Sequence, residues 1–397
     1  MKRLILILYP FKFRIFDWYR FEMDHIIRDN NVVVFEFINH LYPHFQNAYA
    51  NEKITKKNIR RLNNLSEFDK ILDNYKKKYN KKNILILNFV KNDTFKSLLI
   101  NLKVKKSKLK VVEFFNPGIS NFDHSIMGLK EGIHKKILYL FLRKRETIQK
   151  FKSKIFIFLE KIFKLKPNFI LVSGTKCKKK ILNKYRDKNV KLIEGNSWDY
   201  SKILREKDIK RKNKNFVVYL DAPGPKFLSD SQLNKEKMAE TVGHTYPSLK
   251  SFFSLVEKKN KTQVIIAPHP RTKIKDRSTL FGKRRVISNQ THELIKNSKF
   301  VITRNSTAIT YALFYNKPII LFYTSQMFNT YAHKSAIPIA KSLNTKLINI
   351  NNLKEINFIK LLKFSKKKYK NYLYNYCTFK DVNKPNNIII TDLFDKS

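Results

Sequence analysis

Three short stretches carry side chains suited to handling a phosphate and a proton. The first is Ile265-Ile266-Ala267-Pro268-His269-Pro270-Arg271, an apolar run that ends in a histidine between two prolines. Proline fixes φ and removes a backbone donor, so His269 is expected to sit rigidly where the run ends. An imidazole there can donate a hydrogen bond or a proton to a leaving phosphate. Arg271 adds planar donors that match phosphate geometry. A lone histidine in a turn more often bonds only to backbone; the prolines and the arginine tip the balance toward chemistry.

The second stretch is Thr303-Arg304-Asn305-Ser306-Thr307-Ala308, after the apolar Phe300-Val301-Ile302. Ser306 or Thr307 is the expected N-cap of a helix through Phe314. Its free amides would then form an anion site, with Arg304 and Asn305 beside it. Serine and threonine also cap helices with no ligand in view. The third is Asp221, which ends the run Phe216 to Leu220 and could act as a base or bind a hydroxyl. Asp93, after Ile84 to Val90, has the matching place in the first half. It could activate an acceptor hydroxyl or merely cap a helix. Glu293, in Thr291-His292-Glu293-Leu294, could bind a ribose hydroxyl or belong to a capping box.

The elements that must position these residues read as alternating strands and helices. Continuous apolar runs such as Leu4 to Tyr9 suit strands buried on both faces of a parallel sheet. Strands are expected at Asn31–Phe37, Asn83–Val90, Lys110–Phe115, Asn168–Ser173 and Val190–Ile193, with a helix at Phe16–Arg28. After a basic linker, Ser201 to Lys214, the alternation restarts with strands at Phe216, Gln263, Phe300 and Pro318. A helix is expected at Tyr246–Lys258 and a terminal helical stretch at Leu353–Tyr374. The expected organisation is a first Rossmann-like domain over 1–200, a linker over 201–214, a second such domain over 215–350 and a helical segment over 351–397. Two such domains face a cleft, and ligands bind beyond the carboxyl ends of the strands.

Composition narrows the function. The 82 Lys and Arg residues outnumber 31 Asp and Glu, for a formal charge of +51. A coding bias toward lysine and asparagine explains much of this. A surface facing anionic lipid comes second, and nucleic acid is an unlikely partner because no compact basic and aromatic motif occurs. The stretch Lys130 to Lys166 is basic and helical in pattern, with Phe151, Ile155, Phe158 and Ile162 at helical spacing. Such a helix packs its apolar face on a core or lays it on a membrane. Two cysteines, Cys177 and Cys377, fit a reducing compartment. No signal peptide or membrane span is expected, so the chain is read as cytoplasmic, with peripheral contact at the inner leaflet as an option. Only eight glycines occur, and neither the dinucleotide fingerprint nor the P-loop is present.

The order of these elements resembles the GT-B-fold glycosyltransferases of bacterial surface polysaccharide loci, capsule and lipopolysaccharide among them. The likeness is carried by Tyr219-Leu220-Asp221, Ile266-Ala267-Pro268-His269-Pro270-Arg271, Thr291-His292-Glu293-Leu294, Ser306-Thr307-Ala308 and Lys317-Pro318-Ile319. At the N-terminus Asp17-Trp18-Tyr19-Arg20-Phe21-Glu22 adds to it. The His-Pro and Ser/Thr pairs are similar to motifs of bacterial sialyltransferases and of transferases of 3-deoxy-ulosonic acids. The resemblance implies that His269, Ser306 and Thr307 contact the phosphate of a CMP-linked donor. The acidic motif of those enzymes has no clean match; Asn92-Asp93-Thr94 comes nearest and lacks its glycine. Similar pairs occur in polymerases that use CDP-glycerol. The expected activity is metal-independent and cofactor-free transfer from a nucleotide sugar to a glycan or lipid-linked acceptor. A polyol-phosphate transferase and a non-catalytic nucleotide-binding protein are the alternatives.

Overall fold

The computed structural model describes residues 3–43, 58–120, 154–185, 190–206, 214–222, 240–269 and 279–396. Two parallel sheets organise the chain. The first contains β1 (Arg3–Tyr9), β2 (Asn30–Glu36), β3 (Ile59–Arg61), β4 (Ile84–Asn88), β5 (Lys110–Phe115), β6 (Phe169–Ser173) and β7 (Lys191–Gly195), in the order β3-β2-β1-β4-β5-β6-β7. The second contains β8 (Phe216–Leu220), β9 (Gln263–Ala267), β10 (Val301–Thr303), β11 (Ile319–Tyr323) and β12 (Leu347–Asn349), in the order β12-β11-β10-β8-β9. This is the expected pair of Rossmann-like α/β domains.

The apolar runs form strands because both of their faces are covered. In β1, Ile5 and Ile7 join one apolar cluster while Leu4, Leu6 and Leu8 join another on the opposite face. In β8, Val217 and Tyr219 face one core, and Phe216, Val218 and Leu220 face the other. Each such buried side chain contributes roughly 1.5–3 kcal/mol. Alternate residues point to opposite faces, so an unbroken run is what a central parallel strand requires.

Several expected boundaries move. The helix expected at Phe16–Arg28 is two helices, α1 (Ile15–Arg20) and α2 (Met23–Asp29). Between them Glu22 is left-handed, at φ 61°. Further along lie α3 (Ile38–Leu41), α4 (Leu65–Lys78), α5 (Phe95–Ser107), α6 (154–162), α7 (Thr175–Lys184) and α8 (Trp198–Arg205). The basic stretch expected as a linker from Ser201 thus begins inside α8, because Ser197 caps that helix through the amide of Tyr200. Residues 207–213 lie outside the described residues, as does the part of the basic stretch before 154. In the second half come α9 (Val242–Asn260), α10 (Thr291–Asn297), α11 (Ile309–Phe314) and α12 (Tyr331–Leu343).

The terminal helical stretch is not one helix. It divides into short pieces, α13 (Phe358–Leu361) and α14 (Lys366–Tyr372), followed by a π-helical turn at Leu373–Cys377 and then α15 (Asn386–Thr391). The chain thereby returns to the first sheet: Ile389, Ile390, Leu393 and Phe394 pack in one cluster with Ile5, Ile7 and Trp18. Among the described residues no helix is long and apolar enough to cross a membrane.

Candidate active site at the carboxyl edges

The carboxyl ends of β8, β9 and β10 lie level. Leu220, the last residue of β8, pairs with Ala267 of β9 on one side and with Thr303 of β10 on the other. The residues singled out from sequence follow directly: Asp221 after β8, Pro268-His269 after β9 and Arg304 to Thr307 after β10. One edge of one sheet therefore brings Asp221, His269 and the Arg304–Thr307 turn together. Pro270 and Arg271 lie outside the described residues.

Asp221 sits at the centre of this rim, 7% exposed. Its amide donates to the Ala267 carbonyl at 3.0 Å, and the buried Tyr219 hydroxyl donates to its Oδ1 at 3.3 Å. The second bond fixes one carboxylate oxygen from below. His269 is partly exposed, while the Pro268 before it is buried, as a histidine at a strand-end turn requires.

Arg304 has a partner the sequence did not announce. Its Nη1 donates to Glu240 Oε2 at 2.7 Å, and both side chains are nearly covered, at 4% and 9% exposed. Burial opposes the guanidinium's charge, yet Glu240, together with Tyr219 and Tyr246, holds its pKa above the ordinary value. The charge of Arg304 is thus already met by one carboxylate, and Thr245 also donates to Glu240, at 3.3 Å. Asn305 Nδ2 donates to Ser335 Oγ at 2.7 Å and ties the turn to α12.

Ser306 and Thr307 are half-buried but neither is the N-cap expected of them. The cap is Ala308, and α11 begins at Ile309. The Ala308 amide donates to Ser306 Oγ at 3.2 Å, and the amides of Ile309, Thr310 and Tyr311 each donate to the carbonyl three residues back. A serine that bonds two residues ahead offers the chain a turn in place of a cap. The entry to α11 is therefore a tight turn, and those amides are already bonded.

Glu293 is exposed and stands apart from this group. It edges a cavity of about 170 Å³ with Lys214, Phe216 and Asn297, beside the amino end of β8. That is the opposite end of the strand from Asp221. The capping-box alternative fails too, because α10 is capped by Gln290 with no side-chain bond.

In the first domain Asp93 follows β4. Its amide donates to Lys91 O at 3.0 Å and to Ser97 Oγ at 3.2 Å, and Ser97 Oγ donates to its Oδ1 at 3.4 Å. Thr94, not Asp93, caps α5. Asp93 is exposed at the surface, and the partial burial of its carboxyl raises its pKa, against the hydrogen bonds that lower it. The two carboxyl edges approach each other. A Cβ placed on Gly118, after β5, would lie 3.0 Å from Ser197 Cβ and 3.9 Å from Thr310 Oγ1 in α11.

Sequence reasoning passed over two buried charge clusters. Near the ends of β1 and β2, Tyr9 OH donates to Asp17 Oδ1 at 3.0 Å, while Phe13 N and Arg61 Nε donate to Glu36 at 2.6 and 3.0 Å. These carboxylates pin the loop between β1 and α1. In the second cluster His292 lies between Glu206 and Tyr315, at 2.7 and 2.8 Å, stacked on Tyr311 with ring centroids 4.6 Å apart. Only Asp17, in the N-terminal stretch Asp17-Trp18-Tyr19-Arg20-Phe21-Glu22, hinted at the first. The second joins positions 86 residues apart, which no local pattern reveals.

No family model and no curated protein matches this sequence. Among solved structures the chain is similar to a variant of the wall teichoic acid polymerase TagF, at TM-score 0.50 and 11% identity, over 100% of this chain and 88% of that one. It is also similar to the UDP-GlcNAc 2-epimerase of Methanocaldococcus jannaschii in complex with UDP-GlcNAc and UDP, at TM-score 0.48 and 13% identity, over 98% and 99%. Acinetobacter baumannii MurG matches over 100% of both chains at TM-score 0.42 and 9% identity. At such identities the likeness concerns the fold, which is two parallel α/β domains of the GT-B type.

Proposed function

We propose that this chain is a glycosyltransferase that moves a sugar from a nucleotide-sugar donor, a CMP-linked one among the candidates, to a surface glycan or a lipid-linked acceptor. The observation that supports it best is the level ending of β8, β9 and β10, which gathers Asp221, His269 and Ser306-Thr307 on one rim. In a doubly wound sheet that rim is where ligands bind. An acceptor hydroxyl attacks the anomeric carbon, the bond from that carbon to the phosphate oxygen breaks, and the nucleotide leaves with the electron pair. His269 donates a hydrogen bond or proton to the departing phosphate, with Pro270 fixing the turn and Arg271 offsetting its charge. The Ser306 and Thr307 hydroxyls bind the phosphate. Arg304 and Asn305 hold that turn in shape through Glu240 and Ser335. The acceptor's proton passes to a carboxylate, with Asp93 the candidate on the first domain and Asp221 on the second. Glu293 has no part at this rim.

The test uses the full chain with a panel of nucleotide sugars and a lipid extract rich in glycan carriers, reading release of free nucleotide. His269→Ala should lower turnover by about a hundredfold or more while melting like the wild type. Turnover equal to the wild type would sink the assignment. Melting-temperature shifts with CMP, CDP, UDP and GDP identify the nucleotide. Saturable nucleotide binding with no transfer to any acceptor would favour a binding protein. Release of a polyol phosphate from CDP-glycerol would favour the polymerase-like chemistry.

A further inference from the structure

The apolar residues of α6 do not face a core. Ile155 is 41% exposed, Ile157 45%, Phe158 62% and Ile162 54%. At 100° per residue these four fall on one side of the helix together with Lys154 and Lys161. Both lysines are exposed as well. The acid of this helix, Glu160, points the other way: its Oε1 accepts from Asn92 Nδ2 at 3.0 Å, and its Oε2 lies 3.5 Å from Lys184 Nζ. Among the described residues, 154–162, the outward face therefore combines large apolar groups with positive charge and carries no carboxylate. A helix that merely packs on its own domain shows the reverse arrangement, apolar inward and charged outward.

Beside this face, between α6 and the end of α7, lies a cavity of about 540 Å³. Ile157 and Leu165 line it together with Lys161, Lys166 and Lys184, and with Glu160, which already pairs with Lys184 at 3.5 Å. Lys161 and Lys166 remain as cations beside the apolar wall, which fits a group that is anionic at one end and hydrocarbon at the other.

We propose that the outward face of α6 docks on an anionic phospholipid bilayer, with the adjoining cavity receiving a phosphate headgroup. The charge is complementary, since lysines near such a surface are drawn to its anionic headgroups. Phe158 and Ile162 enter the boundary between headgroups and acyl chains, as side chains of an interfacial helix do. The position also has a consequence for the reaction, which rests on the transferase reading. The bond from Glu160 to Asn92 ties α6 to the loop that carries Asp93. A bilayer held on α6 is then next to the acceptor edge of the first domain, which suits a lipid-linked acceptor.

Vesicle co-sedimentation of the full chain tests the docking without any substrate. The probes are vesicles of phosphatidylcholine alone and vesicles with about a third phosphatidylglycerol, at physiological salt. The wild type should bind the second and not the first. Phe158→Ser with Ile162→Ser should weaken binding by about tenfold or more, and Lys154→Ala with Lys161→Ala should weaken it and flatten its salt dependence. Lys258→Ala with Lys259→Ala, an exposed pair on α9, should bind like the wild type. Inorganic phosphate, added at constant ionic strength, should not release the vesicles; release would mean a phosphate site and not a bilayer surface. Equal binding by the apolar variant, or equal loss with the α9 pair, would overturn the proposal and assign the binding to net charge alone. Because no nucleotide is present, failure here leaves the donor chemistry standing, and failure to bind nucleotide leaves this docking standing.

Discussion

Glu113, on β5, carries a stability prediction that can be worked through. Burial pushes its carboxyl up to about 7 from 4.5, with Lys184, Glu160 and Lys91 acting on it in turn. A raised pKa means that the folded state holds the proton more tightly than the unfolded chain does. The stabilisation is therefore complete below about pH 4.5 and is lost as pH rises through 7. The gap corresponds to about 3 kcal/mol at roughly 1.4 kcal/mol per pH unit. Glu113 is only partly covered, and solvent screening reduces this to about 2 kcal/mol. Glu113→Gln keeps the shape and the donor while removing the charge. It should leave stability unchanged below about pH 4 and raise it by about 2 kcal/mol at pH 8, relative to the wild type at each pH. Urea unfolding followed by tryptophan fluorescence reads this domain directly, because Trp18 and Trp198 both sit in the cluster around β1. If the variant is destabilised at pH 8, the ionised carboxylate stabilises the fold and the reasoning fails. An identical effect at both pH values refutes it as well.

Two further outcomes follow from the geometry. Gly174 is at φ +83°, and a Cβ there would lie 2.4 Å from the backbone carbonyl of Asn375 and 2.5 Å from the Tyr376 amide. Gly174→Ala should cost upward of about 3 kcal/mol, read as a lowered melting temperature, and a loss under 1 kcal/mol would mean the two segments do not touch. Glu240→Gln leaves the buried Arg304 charge without its partner and should cost about 3 kcal/mol in urea unfolding. The double variant Glu240→Gln with Arg304→Gln should recover part of that loss, whereas purely additive losses would show that the pair is not coupled.

How much of this the sequence contained depends on the range of the interactions involved. β1, β4, β6 and β8 were legible because a central parallel strand must be apolar on both faces, and the edge strand β9 because its own run, Val264 to Ala267, is buried as well. The rim was legible for the same reason: Asp221, His269 and Arg304 are the first polar groups after such runs. β3 and β12 were not, since three residues such as Ile59-Arg60-Arg61 carry no periodic signal. The break at Glu22 was hidden because its cause is distant. Its carboxylate faces Arg205 at 3.5 Å and accepts from the Asn387 amide at 2.9 Å. Ser306 misled because one hydroxyl can cap a helix or close a turn, and only the backbone decides which. On α6 the spacing was read correctly as helical, but spacing alone does not say whether an apolar stripe faces inward or outward.

The C-terminal segment explains how one chain can hold two edges at a working distance. Ser173 Oγ donates to Tyr376 O at 2.9 Å and Ser197 N to Cys377 O at 2.7 Å, on the carboxyl side of the first sheet. Tyr369 OH donates to Lys317 O at 3.1 Å in the second half, and Thr310 Oγ1 lies 3.6 Å from Cys377 Sγ. Residues 369–377 thus bond to both halves within a few turns of chain. The Glu206–His292 contact, from α8 to α10, adds a second crossing, and the Tyr311 hydroxyl of α11 donates to Asp199 Oδ1 of α8 at 3.1 Å. Moving the two edges apart would strip the buried hydrogen bonds at these crossings of their partners, at about 1–3 kcal/mol for each group left unsatisfied. The π-helical turn at Leu373–Cys377 lies within the first crossing, where the backbone already departs from regular α-helix. That departure places the Tyr376 and Cys377 carbonyls toward Ser173 and Ser197, so the irregular turn and the coupling of the two domains are one feature of the fold.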